Sequence, residues 1–138
     1  MPENRPPRRI VLAPSARMDI REALIWSQER FGERAATRYR DLLKQAIRDI
    51  AADPQRPGSR ERRDLARGIR TYHLFFSRLR ARSDLGAVGK PRHFLVYRCR
   101  EDAIDVVRVL HDARDLESHL PEDYLRNPEV ADLDENPA

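Results

Sequence analysis

Any chemistry this chain performs falls to arginine and histidine. Two strand-like runs carry them: one ends in Tyr97-Arg98, the next ends in Arg108-Val109-Leu110-His111, and Arg114-Asp115 follows. Of the 27 basic residues, all but Lys44 and Lys90 are arginine. The guanidinium is a planar fork of donors suited to carboxylates and phosphates, and it tolerates partial burial better than an ammonium group does. A histidine, with its near-neutral pKa, can serve as a base. The sequence pI of about 9.7 suits an acidic partner, either a protein segment or a nucleic acid. Against this, 23 acidic residues interleave with the basic ones and hold the net charge at +4, as on a mixed, solvated surface.

Other chemistries find less support. His73, His93, His111 and His119 lack the i, i+4 spacing of a metal-binding helix and have no Cys-x-x-Cys beside them, so they read as scattered strand and surface histidines and no metal is expected. No G-x-S-x-G elbow and no phosphate-cradling glycine motif occurs, so no nucleotide or other cofactor is implied. Trp26 and Tyr39 read as the core of a helix pair rather than a platform for stacked bases. The single cysteine, Cys99, excludes an intramolecular disulfide, and its strand position makes it a small core residue.

The elements that must position these residues follow from periodicity. At 138 residues, 40% hydrophobic and 36% charged, the chain is a single soluble domain. No apolar run approaches the ~20 residues of a membrane span, and the basic N-terminus has no apolar stretch behind it, so a cytoplasmic protein without a signal peptide is expected. Residues 1–8 read as a flexible N-terminus and 9–13 as a short strand ending before Pro14. Ser15 is the expected cap of a first helix, whose apolar face is Ala16, Ile20, Ala23, Leu24, Ser27 and Phe31. Gly32 stops it. Ala36, Tyr39, Leu43, Ala46, Ile47 and Ile50 line a second helix closing at Asp53-Pro54, and so short a break folds the two back as an antiparallel hairpin. Residues 54–67, with Pro54, Pro57, Gly58 and dense charge, read as an exposed linker. Tyr72–Phe76, Phe94–Cys99 and Ile104–Leu110 are strand patterns, the last two joined by a tight turn at Glu101-Asp102. Ser77–Pro91 is an arginine-rich insert longer than a hairpin needs. Leu116, His119 and Leu120 allow a helical turn that Pro121 ends, with Tyr124-Leu125 packing back, and 126–138 reads as a disordered acidic tail.

Taken in order, these residues resemble the ParE/RelE toxin superfamily over roughly residues 9–125. The resemblance rests on Ala16 with Asp19-Ile20, on Trp26, on Glu29-Arg30-Phe31-Gly32, on Gly68-Ile69-Arg70-Thr71-Tyr72, and on the Tyr97-Arg98, Arg108-Val109-Leu110-His111 and Arg114-Asp115 series. Each pattern is short and common; their order along a chain of this size is specific. The insert at 77–91 departs from the compact family pattern, as a subgroup feature or a partner-binding element.

The resemblance implies an α+β fold in which an N-terminal strand and an antiparallel helical hairpin pack on a small antiparallel sheet. It also implies a bacterial toxin of a type II toxin–antitoxin system. ParE-like members trap DNA gyrase on cleaved DNA and have no active site of their own. Their antitoxin neutralises them with a disordered segment that folds on binding. On that reading Arg70, Arg98, Arg108, His111 and Arg114 are the candidates for contact with target or antitoxin, and there is no catalytic residue. RelE-like members instead cut messenger RNA on the ribosome, which needs a base for the 2′-hydroxyl, cations at the phosphorane and an acid for the leaving oxygen. In that case His111, Arg98, Arg108 and Arg114 would be catalytic. The absence of a lysine on the strand entered by Gly68 favours the inhibitor, and His111 then pins the end of the last strand. A degenerate, non-toxic binding module is a third possibility.

Overall fold

The computed structural model describes residues 6–82 and 85–113. The expected chain end, with Arg114-Asp115, the turn at 116–120, Tyr124-Leu125 and the 126–138 tail, lies outside the described residues, as do residues 1–5. The described elements are β1 (Arg9–Leu12), α1 (Pro14–Phe31), α2 (Glu33–Ala52), β2 (Ser59–Glu61), β3 (Ile69–His73), a 3-10 turn (Leu74–Ser77), β4 (His93–Cys99) and β5 (Ala103–His111).

The α+β class and the helical hairpin agree with the sequence. Gly32, at φ 95°, takes a left-handed conformation that costs a residue without Cβ little, and one residue suffices to reverse the chain between the helices. α2 is the main cover: Tyr39, Leu42, Leu43, Ala46 and Ile50 are buried along one face. Truncating the fully buried Leu42 to alanine would cost about 3 kcal/mol. α1 is a thinner lid that buries Ala16, Ala23 and Ser27, with Ile20 and Leu24 half-buried against the core. Phe31, expected on the buried face, is 67% exposed, because it sits at the hairpin tip, where it makes a T-shaped pair with Trp26. Ser15 is not the helix cap. The helix begins one residue earlier at Pro14, which lacks the N–H that a first-turn position leaves unpaired, and Ser15 Oγ instead donates to the Val107 carbonyl at 2.9 Å.

The sheet departs from the sequence reading in three places. It has five strands in the order β1-β5-β4-β3-β2 and is mixed, because β1 lies parallel to β5, Arg9 opposite Ala103 through Leu12 opposite Val106. The supposed linker contributes β2, antiparallel to β3, and buries Leu65 and Ala66. Gly58, at φ 98°, allows this return: a Cβ there would meet the Phe76 ring at 2.6 Å. The strand read as Tyr72–Phe76 is shifted to Ile69–His73, where the His73 ring accepts the Phe75 N–H at 3.0 Å and turns the chain into the 3-10 segment. β4 and β5 form the expected hairpin, with a bulge at Val96/Tyr97.

Alternation on the strands gives the sheet two apolar faces. Tyr72, Leu95, Tyr97, Ile104, Val106 and Val109 join the helices in the main core, with Cys99 half-buried at its margin. Ile69, Val96, Val107 and Leu110 form a smaller cluster with Leu65 and Ala66. Two polar groups of the interior carry much of its hydrogen bonding. Tyr97 Oη donates to the Pro54 carbonyl at 2.6 Å, and buried Asp49 on α2 accepts from Ser77 Oγ at 2.5 Å, Arg80 Nε at 3.0 Å and Gln45 Nε2 at 2.9 Å.

Candidate functional site

β5 outruns its partner β1: past Val106 no strand among the described residues pairs with its outer edge, and an open edge invites foreign strands. The start of α1 and the residue before it close this edge. The Ala13 N–H donates to the Val106 carbonyl, Ser15 Oγ to the Val107 carbonyl, and the Val109 N–H to Asp19 Oδ2 at 2.9 Å. Asp19 also receives a forked pair from Arg108, Nε to Oδ2 at 2.7 Å and Nη2 to Oδ1 at 2.9 Å, which holds the guanidinium pKa above its ordinary value. Arg108 therefore fixes α1 to the sheet.

The other candidates occupy separate places. Arg70 lies at the start of β3 and donates through Nη2 to Ser59 Oγ of β2 at 2.8 Å, beside Tyr97, whose hydroxyl is pushed up by burial. Arg98 follows Tyr97 on β4, so its side chain points to the opposite face; it is buried, its Nη2 3.9 Å from Asp105, which also takes Arg100 Nη2 at 2.8 Å. His111 stands at the far end of β5, and its Nδ1 accepts the Ala113 N–H at 3.1 Å. Arg114 lies outside the described residues. The four described candidates do not converge on one spot.

What does converge is a group that the sequence reading had called scattered. β4 and β5 set His93 opposite His111, ring centres 5.3 Å apart, and Trp26 stands edge-on to both at 5.5 and 5.8 Å. Asp112 gathers His73 Nε2 and Arg92 Nη2, each at 3.1 Å, and the two hydrogen bonds hold its carboxyl low against the burial that would raise it. From α2, Tyr39 Oη accepts the Arg92 N–H at 3.0 Å and lies 2.6 Å from His93 Nδ1. With Tyr39 Oη already accepting the Arg92 N–H, the arrangement suits a hydroxyl that donates to Nδ1 of an imidazole protonated on Nε2. Burial pushes the Tyr39 hydroxyl up to about 12. Burial also drives His93 down to about 4, with the neighbouring His111 adding to the effect, so the ring is neutral at pH 7. A neutral, buried imidazole hydrogen-bonded to a tyrosine ties helix to sheet and is poorly placed to donate a proton. The hairpin turn at 101–102 was a usable signal for this pairing, since counting outward from it puts His93 within one residue of His111. Among the described residues no cluster of three or more histidine, cysteine or acidic side chains could hold a metal, and no helix is long and apolar enough to cross a membrane.

A helical hairpin over a mixed sheet, with a basic strand end and a C-terminal hairpin carrying arginine and histidine, defines a small toxin-like α+β protein of the RelE/ParE type. The sequence matches the family described as ParE toxin of type II toxin-antitoxin system, parDE, over residues 10–116, and the chain belongs to that family. A search of curated proteins finds no relative that matches. Family membership implies a toxin role and a cognate antitoxin as partner.

Proposed function

We propose that this chain is a cytoplasmic toxin that inhibits DNA gyrase, trapping it on cleaved DNA, and that a disordered antitoxin segment neutralises it by folding onto its surface. The observation that carries this over RNA cleavage is the state of the basic side chains. Ribonuclease chemistry needs cations presented to a phosphorane and a proton-exchanging base. Here Arg108 is locked in a fork with Asp19, Arg98 is buried near Asp105, and His111 is packed against Trp26 and His93. Arg70, Arg98, Arg108, His111 and Arg114 remain the proposed contact residues for target or antitoxin. Of these, His111 is more open to solvent than Arg98 or Arg108.

Induced expression in a gyrase-bearing cell tests the proposal. Growth should stop with double-strand breaks accumulating, and co-expression of the antitoxin should restore it. Arrest with intact chromosomes and falling messenger RNA would move the chain to the ribonuclease class. An Arg108→Ala protein that folds normally and stays as toxic as the parent would take Arg108 off the contact list.

A further inference from the structure

The insert between the 3-10 turn and β4 is held at several points. Arg80 Nε donates to buried Asp49 of α2 at 3.0 Å, Arg38 Nη1 of α2 donates to the Leu85 carbonyl at 3.2 Å, and Ala81 and Val88 pack on the main core. Fixed in this way, Ala87 to Lys90 stand across from the tip of the helical hairpin and enclose with it a groove of about 460 Å³. Trp26, Phe31, Ala35 and Val88 supply its apolar lining, and among the described residues the charged ones that line it are cations: Arg30, Arg38, Lys90 and Arg92.

The charge points to an anionic occupant, and the aromatic geometry decides which class. Base stacking needs an open ring face, and the Arg30 guanidinium already lies 5.5 Å over the Trp26 ring, while Phe31, Tyr39, His93 and His111 make T-shaped pairs with it. A branched or aromatic side chain needs only an apolar slot, which Trp26, Phe31 and Val88 provide. Among the cations, Arg92 is already offset by Asp112 and Arg38 is committed to Leu85, so Arg30 and Lys90 are the ones placed to meet carboxylates.

We infer that this groove seats an acidic segment of the antitoxin. One apolar side chain enters between Trp26 and Val88, with carboxylates on Arg30 and Lys90, and residues 87–90 of the insert set which antitoxin the toxin accepts. The inference rests on the toxin reading above and adds to it a location and a chemistry.

Trp26 is the only tryptophan, so its emission reports on the groove directly. The experiment titrates the full chain with its cognate antitoxin, obtained from the neighbouring open reading frame, and repeats the titration with the Arg30→Glu, Lys90→Glu double variant and a charge-keeping Arg30→Lys, Lys90→Arg control. Binding should shift Trp26 emission in the parent. The double reversal should weaken binding at low salt by about tenfold or more with an unchanged unfolding midpoint, and the control should bind as the parent does. Parental affinity in the double reversal, or binding that leaves Trp26 emission unmoved, would overturn the groove while leaving the toxin reading intact. No binding by the parent chain would remove both. A Trp26 emission that shifts with salt in the chain alone, and not with antitoxin, would give the groove to the chain's own acidic residues 126–138 and overturn the inference.

Discussion

Replacing His93 with asparagine tests the pairing of helix and sheet through a quantity the geometry sets. Asn Oδ1 can take the place of His93 Nδ1 as acceptor for Tyr39, so the substitution keeps the hydrogen bond and removes the titrating ring. In the folded chain His93 is held near 4, against 6.5 when exposed, a gap of about 2.5 units. At 1.36 kcal/mol per unit this is worth about 3 kcal/mol. The sign follows from proton uptake. Between pH 6.5 and 4 the unfolded chain binds a proton at residue 93 and the folded chain does not, so the stability is fully present above pH 6.5 and is lost as pH falls through about 4. The ring is faced by Tyr39, His111, His73, Asp112 and Asp19, all of which the variant keeps, so the difference between the two proteins reports residue 93 together with its coupling to them. Urea unfolding at several pH values from 7.5 to 4 measures it. His93→Asn should be the less stable protein at pH 7, because ring packing is lost, and the gap should narrow by about 3 kcal/mol on the way to pH 4. Parallel stability curves would mean that His93 is not buried and neutral, and the tie to Tyr39 would have to be abandoned.

Two further substitutions probe the edge of β5 and the turn before β2. Asp19→Ala leaves Arg108 without its fork and the Val109 N–H without an acceptor, and should cost about 3 kcal/mol in urea unfolding, whereas Arg108→Ala keeps the Asp19 to Val109 bond and should cost clearly less. Equal losses would show that the backbone bond contributes nothing. Gly58→Ala puts a Cβ against the Phe76 ring at a φ of 98° and should lower the thermal midpoint, by about 1 to 3 kcal/mol in stability terms. An unchanged midpoint would mean that the turn is not held as described.

The parts of the fold legible in the sequence are those fixed by short-range pattern. The apolar stripe of α2, the stop at Gly32 and the β4–β5 hairpin all follow from residues close together in the chain. The parts that were not legible depend on partners far away. β1 finds β5 some ninety positions later, so nothing local reveals that they run parallel. β2 is Ser-Arg-Glu, with no β-branched or aromatic residue, and exists because β3 offers it an edge. The histidine pairing shows the limit most clearly. The hairpin turn could be counted, but the bulge at Val96/Tyr97 moves the register by the one residue that brings His111 opposite His93. Arg108 and Asp19 were each noted in the sequence, yet their forked contact needs α1 laid along β5, which only the tertiary arrangement supplies.

The most direct measurement of the central claim is a supercoiling and cleavage assay on purified gyrase with the purified chain, run beside a translation reaction in which messenger RNA length is followed. Blocked supercoiling with accumulating cleaved DNA and full-length message is the expected result. Cut message with gyrase unaffected would contradict it, and would turn His111 and the sheet arginines from contact residues into catalytic ones.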